Sequence, residues 1–192
     1  GFKQIKGFHA KKKTGGKITM LNEIIKKRRS IRKYQQDGKV TDEQIKILLE
    51  AAMLAPSAVN SRPWEFIVIK NRKMLDLIAQ NHPYAQMMKQ ASLAIMMTAN
   101  PNALKGTKVE DLEFWQHDCG AATQNILLQA THMGLGTCWC GLPSHGERII
   151  GFKELFNIPD DRVPFCVIAI GVPEENFGSR GFYDETKVRW FE

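Results

Sequence analysis

Apolar and polar positions along this chain change period in a regular way, and the changes mark out its elements. Asn22 precedes Glu23-Ile24-Ile25, a polar cap before an amphipathic start, which predicts a short helix. Thr41-Asp42-Glu43-Gln44 reads as a capping box, and Ile45, Leu48, Leu49 and Ala52 share one face of the helix behind it. Ala55-Pro56 ends that helix, because the residue before a proline is pushed out of the helical region. Residues 65–69 are a β-rich run that reads as a buried strand, and Asn71 caps a helix through about residue 79. Residues 92–98 read as a second buried strand, closed by Asn100-Pro101, with a loop over 101–108.

The longest predicted element is a helix over 109–133. Its Leu112, Trp115, Cys119, Ala122, Ile126 and Met133 stay near one face, while Phe114, Ala121 and Leu128 fall elsewhere. Apolar residues on more than one face predict a central buried helix or a subunit seam. Gly134-Leu135-Gly136 is the turn out of it. A strand through Cys140 follows, then a helix capped by Ser144 and ending near Phe156, then a last strand over 164–172. Helices alternating with strands predict an α/β/α sandwich, with helices packed on a central sheet. Residues 1–19 lack this periodicity and carry Lys11-Lys12-Lys13 and Gly15-Gly16-Lys17. They read as a basic extension outside the core, with 20–192 as one domain and Met20 as a candidate natural start.

Composition adds constraints. A chain of 192 residues with 43% hydrophobic and 24% charged residues is an ordinary globular domain. No apolar run is long enough to span a bilayer and the start has no signal-peptide core, so the expectation is a cytoplasmic protein without membrane contact. The net charge of +7 is misleading: residues 1–33 hold 12 Lys/Arg and one acid, which leaves the rest at −4. That argues against a nucleic-acid-binding body and confines any polyanion contact to the basic start. The four cysteines sit in apolar contexts and read as reduced. Cys138-Trp139-Cys140 puts two sulfurs on one side of a strand, but no second close pair accompanies it. Core packing is preferred, and no metal site is expected.

The candidate chemistry lies in three polar stations. Arg28-Arg29-Ser30-Ile31-Arg32 packs three guanidinium forks and a hydroxyl into five residues, suited to phosphate or a heterocycle edge. Pro56-Ser57-Ala58-Val59-Asn60-Ser61-Arg62-Pro63 is a stiff loop with short donors and acceptors, and Lys187-Val188-Arg189 stands near the C-terminus. There is no Gly-x-x-x-x-Gly-Lys-Ser/Thr, and Gly134-Leu135-Gly136 follows a helix rather than a strand, so a glycine-rich phosphate loop is excluded. No serine stands in a nucleophile elbow, and the histidines show no acid–base spacing. The chain has binding groups and no protein nucleophile, the pattern expected where a cofactor supplies the chemistry.

Arg28-Arg29-Ser30-Ile31-Arg32-Lys33-Tyr34 followed by residues 55–66 resembles the FMN-dependent nitroreductase family. Gly134-Leu135-Gly136-Thr137, Ile170-Gly171-Val172-Pro173 and Lys187-Val188-Arg189 match in order, so the likeness covers roughly 20–190. The resemblance implies an α+β fold with a central, mixed but mainly antiparallel sheet, in an interlocked homodimer with FMN at the subunit interface. It implies that Arg28, Arg29, Ser30 and Arg32 hold the phosphate, ribityl chain and pyrimidine edge, and that Lys187 and Arg189 close on the phosphate. Pro56, Ser57, Ala58 and Asn60 would come from the partner chain, and backbone at Cys140, Gly141 and Leu142 would line the face near the reactive nitrogen. The implied activity is ping-pong transfer from NADH or NADPH through FMN to a nitroaromatic, quinone or similar acceptor. Some relatives instead oxidise heterocycles, remove halogens or fragment flavin. Two departures stand out. Gly141-Leu142 occupies a place where some members carry a glutamate, and a polar ring contact falls among Tyr84, Met87, Met88 and Gln90.

Overall fold

The computed structural model describes residues 21–191 apart from 111, 144, 177, 179, 180 and 182. The basic extension and the Ser144 cap therefore lie outside the described residues. Five helices and four strands follow one another: α1 (Glu23–Lys27), α2 (Asp42–Met53), β1 (Trp64–Ile69), α3 (Arg72–Asn81), β2 (Leu93–Ala99), α4 (Trp115–His132), β3 (Gly136–Gly141), α5 (Glu147–Phe156) and β4 (Val163–Gly171).

The local signals do what their chemistry predicts. Asn22 accepts from the Ile24 N–H, and Asn71 from the Met74 N–H. Thr41 and Gln44 exchange both bonds of a capping box, satisfying two N–H groups that the first turn of α2 leaves open. At the far end of α4, Gly134 takes a positive φ of 74°. The Gly134 and Leu135 N–H groups then bond back to Thr131 and Ala130, closing the helix in a Schellman motif.

The strands form one sheet in the order β1-β2-β4-β3, every pair antiparallel. The parallel component is an isolated bridge between Ser30 and Thr137. Pro164, which has no N–H to give, sits where the β2–β4 register slips between Met97 and Thr98. Alternation sorts the central strands onto two faces. Ile95, Met97, Cys166, Ile168 and Ile170 pack with α2 and α4. Ala94, Met96, Val167, Ala169, Cys138 and Cys140 pack with α3, α5, Ile31 and Tyr34. Because both faces are covered, β2 is buried at all seven positions.

The central helix starts six residues later than its pattern predicts. Residues 106–114 make local bonds instead: Glu110 Oε2 accepts from the Gly106 N–H, and Thr107 Oγ1 from the Val109 N–H. Such side-chain-to-backbone bonds compete with the helical ladder, and Leu112 is left exposed. The helix over 147–156 is entered through Gly146 at φ 99°.

Two core thiols carry a pH prediction. Burial pushes the Cys119 and Cys166 thiols from their ordinary range up to about 12. Between those values the unfolded thiols have lost protons that the folded ones keep, so stability falls as pH rises through the window. Thermal melts from pH 8.5 upward should show a shallower decline for Cys119→Ala than for the unaltered chain.

Candidate functional site

After α1 the chain runs extended along the free edge of β3. The Ile31 N–H donates to the Thr137 carbonyl at 2.8 Å, and the Gln35 N–H to the Val172 carbonyl at 2.9 Å. Tyr34 is buried and donates its hydroxyl to the Ile31 carbonyl at 2.8 Å. Burial holds that phenol far above its ordinary pKa, so it stays a neutral donor. The close approach depends on two glycines that pair with each other across β3 and β4, Gly136 and Gly171. A methyl on Gly136 would lie 2.8 Å from Ile31 Cγ2, and one on Gly171 2.8 Å from Tyr34 Cδ1. With Ile31 and Tyr34 turned inward, Arg32 and Lys33 face out, and their N–H groups are caught by Glu175.

Those outward residues form one wall of a cleft of about 840 Å³. The opposite wall is the edge of β3 from Cys138 to Gly141. Peptide groups of alternate residues point to the same side of a strand. Thr137 gives its carbonyl to Ile31 at this edge and Gly141 gives its carbonyl to His82, so Trp139 presents its peptide there too. His82 is buried, with Nε2 at 2.9 Å from the Gly141 carbonyl and Nδ1 accepting from the Tyr84 N–H at 3.3 Å. With Nδ1 accepting, the hydrogen-bond pattern assigns the donor role to Nε2. Lys89 and Arg148 add positive charge, and among the described residues no carboxylate lines the cleft.

Cys138 and Cys140 flank Trp139 on the strand face turned toward Met87. The Cys140 thiol hydrogen-bonds to Cys138 and, with the Arg32 charge, holds the Cys138 thiol below its ordinary pKa. The Cys140 thiol is pushed up by the same bond and by burial.

Of the residues singled out in the sequence, Arg32, Cys140 and Gly141 line this cleft, while Leu142 packs beside the second core layer. Arg28 caps the end of α1. Arg29 donates to the Gly178 carbonyl and borders a separate hollow with Glu174 and Glu175. Ser30 forms the bridge to Thr137. Lys187 and Arg189 lie exposed on the C-terminal segment, and neither lines the cleft. Tyr84, Met87 and Gln90 reach the cleft, whereas Met88 is fully buried in the core. The periodicity signal could not separate neighbouring methionines in a single 3-10 turn. His82, Lys89 and Arg148 carry no motif and were not foreseen; only the fold brings them together.

The 56–63 loop stands apart. It leads into β1, three strands from β3, or about 14 Å across the sheet. Val59, Asn60 and Arg62 have φ of 44°, 58° and 48°, a left-handed conformation uncommon outside glycine and most costly for a β-branched residue. Asp118, in the first turn of α4, holds the loop by accepting from the Ala58 N–H at 3.0 Å, and Ser57 Oγ accepts from the Arg62 N–H at 3.0 Å.

Comparison with known proteins agrees with the fold. The Nitroreductase family model matches residues 25–81 and 75–172. A Methanothermobacter thermautotrophicus protein provisionally named NADH dehydrogenase/NAD(P)H nitroreductase is 45% identical over 175 residues, covering 90% of this chain and 88% of that one. The crystal structure of an enzyme provisionally named NADH oxidase from Clostridium acetobutylicum superposes with a TM-score of 0.78 at 40% identity, over 86% of this chain and 97% of that one. A Desulfovibrio desulfuricans nitroreductase homologue, solved in complex with FMN, gives a TM-score of 0.70 at 31% identity, over 88% and 95%. The fold, an antiparallel sheet with helices on both faces, is thus shared, and this chain belongs to the nitroreductase family.

The glycine pair provides a test. Gly136→Ala and Gly171→Ala should each lower stability by about 1–3 kcal/mol, the usual scale of overpacking. At Gly141 an added methyl meets nothing within 4 Å, so Gly141→Ala should unfold in urea close to the unaltered chain.

Proposed function

We propose that the chain is one half of a homodimeric flavoenzyme that binds FMN in the Arg32 cleft and passes electrons from NADH or NADPH to a small electron-poor acceptor. The carrying observation is the cleft itself: cationic, free of carboxylates among the described residues, and walled by the exposed main chain of β3. Membership of the nitroreductase family supports FMN as the occupant of that cleft. The flavin-dependent names among relatives support this, including an NAD(P)H-flavin oxidoreductase of Aliivibrio fischeri and an FMN reductase of Bacillus subtilis.

The donor set fits FMN. Bound FMN supplies the two-electron chemistry, which no side chain here could perform. Arg32 offers a cation to the electron-rich pyrimidine edge, favouring the reduced and more negative form. Arg28, Arg29 and Ser30, from the same segment, would take the phosphate and ribityl chain, and Lys187 and Arg189 would close on the phosphate; none of the five lines the cleft of a single chain, so each would act from beyond its rim. His82 keeps the Gly141 peptide fixed, which supports the end of β3 at Cys140 and Gly141 as the wall against the cofactor, with Leu142 next along the chain but outside the cleft lining. Donor and acceptor use the site in turn, a ping-pong order, on nitroaromatic, quinone or similar substrates.

A second copy completes the arrangement. Pro56, Ser57, Ala58 and Asn60 are too far from their own cleft to reach it, which supports their contribution to a partner's. Ile25 and Leu54 are exposed beside a groove that Leu128 also lines, and a pairing surface accounts for such apolar exposure. Among the described residues no helix is long and apolar enough to cross a membrane.

The purified protein should be yellow and release FMN on denaturation, and anaerobic mixing with NADH or NADPH should bleach it. A colourless chain that cannot take up FMN would overturn the reading. Bleaching by neither nucleotide would remove the reductase and leave one of the specialised flavin reactions. Arg28→Ala and Arg32→Ala should each weaken FMN binding by about 1.5–3 kcal/mol, the scale of one charged hydrogen bond, measured by fluorescence titration of the apoprotein.

A further inference from the structure

The Cys138-Trp139-Cys140 motif has no task in flavin binding beyond its backbone. Residues two apart on a strand share a face, and Cys140 Sγ lies 4.0 Å from the Cys138 carbonyl. The fold adds what the sequence does not display: Met87, from the 3-10 turn at Gln86–Lys89, puts its Sδ 3.8 Å from Cys140 Sγ. All three residues line the cleft wall while being 3%, 4% and 7% exposed for Cys138, Cys140 and Met87.

Among the described residues the side-chain atoms that Cys140 Sγ meets are sulfur, with the Tyr84 carbonyl oxygen at 3.6 Å beside them. His82, the imidazole of the same cleft, has both ring nitrogens engaged with the Gly141 carbonyl and the Tyr84 N–H. Two thiolates and a thioether form a soft set that favours copper(I)-class ions over magnesium, calcium or manganese. With metal–sulfur bonds of about 2.3 Å, a trigonal ion keeps its sulfurs about 4 Å apart, which the Cys140–Met87 separation of 3.8 Å already matches. A disulfide fits less well. Two rises of an extended strand separate the α-carbons by about 6.7 Å, at the upper end of the range a disulfide spans, and β3 is held in its ladder at both positions.

We propose that Cys138, Cys140 and Met87 form a three-sulfur site for one monovalent soft metal ion of the copper(I) class. Binding replaces two S–H protons with two metal–thiolate bonds and adds a thioether bond. The protons go to solvent, and nothing is oxidised or reduced. The resulting centre carries one negative charge, which the Arg32 guanidinium beside it offsets.

Silver(I) is the redox-inert probe, added to the full chain as purified in chloride-free buffer. The readouts are the ultraviolet thiolate-to-metal absorption and the number of thiols still reactive with a chromogenic disulfide. One ion per chain should bind and protect two thiols. Cys138→Ser and Cys140→Ser should weaken binding by more than about 100-fold, and Met87→Leu, a volume-conserving change, by about tenfold. Cys119→Ala and Cys166→Ala should bind as the unaltered chain does. Unchanged affinity in Met87→Leu with native circular dichroism, or loss of binding in Cys119→Ala or Cys166→Ala, would overturn the proposal. Neither readout measures turnover, and the thiol count is independent of flavin absorption, so this result and the flavin result stand or fall separately.

Discussion

The contact of residues 30–34 with the paired glycines at the ends of β3 and β4 is the constraint on which the cleft depends. Ile31 and Tyr34 fill the space that two missing side chains leave, and their inward turn sends Arg32 and Lys33 outward. A side chain at either glycine would lift the segment off the sheet and carry the guanidinium away from the β3 edge. The Tyr34 hydroxyl reinforces the fit by closing onto the Ile31 carbonyl within its own segment. A basic run that would otherwise be solvated surface thus becomes one side of a defined cleft.

The opposite wall depends on β3 being an edge strand. An open edge is usually a hazard, because its free peptide groups invite pairing with other chains. Here the edge is divided. Its first part takes the Ser30 bridge and its last part is held by His82, which leaves the intervening stretch as a polar lip of fixed main chain. Binding by main chain at an edge, with cations opposite, would need no glycine-rich loop, so the proposed flavin site is compatible with the lack of a phosphate-loop motif.

Much of this was legible in the sequence, for physical reasons that differ by element. Caps at Asn22, Thr41 and Asn71 are local chemistry, so their positions were readable without any tertiary information. The four strands were readable because a sheet covered on both faces needs near-continuous apolar runs. Helix α4 was overextended because Leu112 and Phe114 continue its apolar pattern, while the bonds from Thr107 and Glu110 that stop it depend on loop shape. The motif around Arg28 gave the segment but not the side-chain directions. Arg29 turns to another hollow, Arg28 ends a helix, and only Arg32 reaches the cleft. His82 and Arg148 were beyond reach, since nothing in their neighbourhoods distinguishes a wall residue from a surface one until the chain is folded.

The 56–63 loop shows how a local cost can be read. Left-handed backbone at Val59, Asn60 and Arg62 costs of order 1–3 kcal/mol per residue, and a β-branched side chain at Val59 stands at the unfavourable end. The loop is nonetheless over-determined: Asp118 grips the Ala58 N–H from the start of α4, where the helix dipole favours a carboxylate, and Ser57 closes on Arg62. Nothing in the loop's own chain needs that shape, because its cleft lies at the far edge of the sheet. Strain held in place by a buried carboxylate is the expected signature of a surface shaped for another molecule. In the proposed dimer that molecule is the partner, whose cleft the stiffened Pro56–Asn60 backbone enters already formed, so little ordering entropy is lost when the two halves meet.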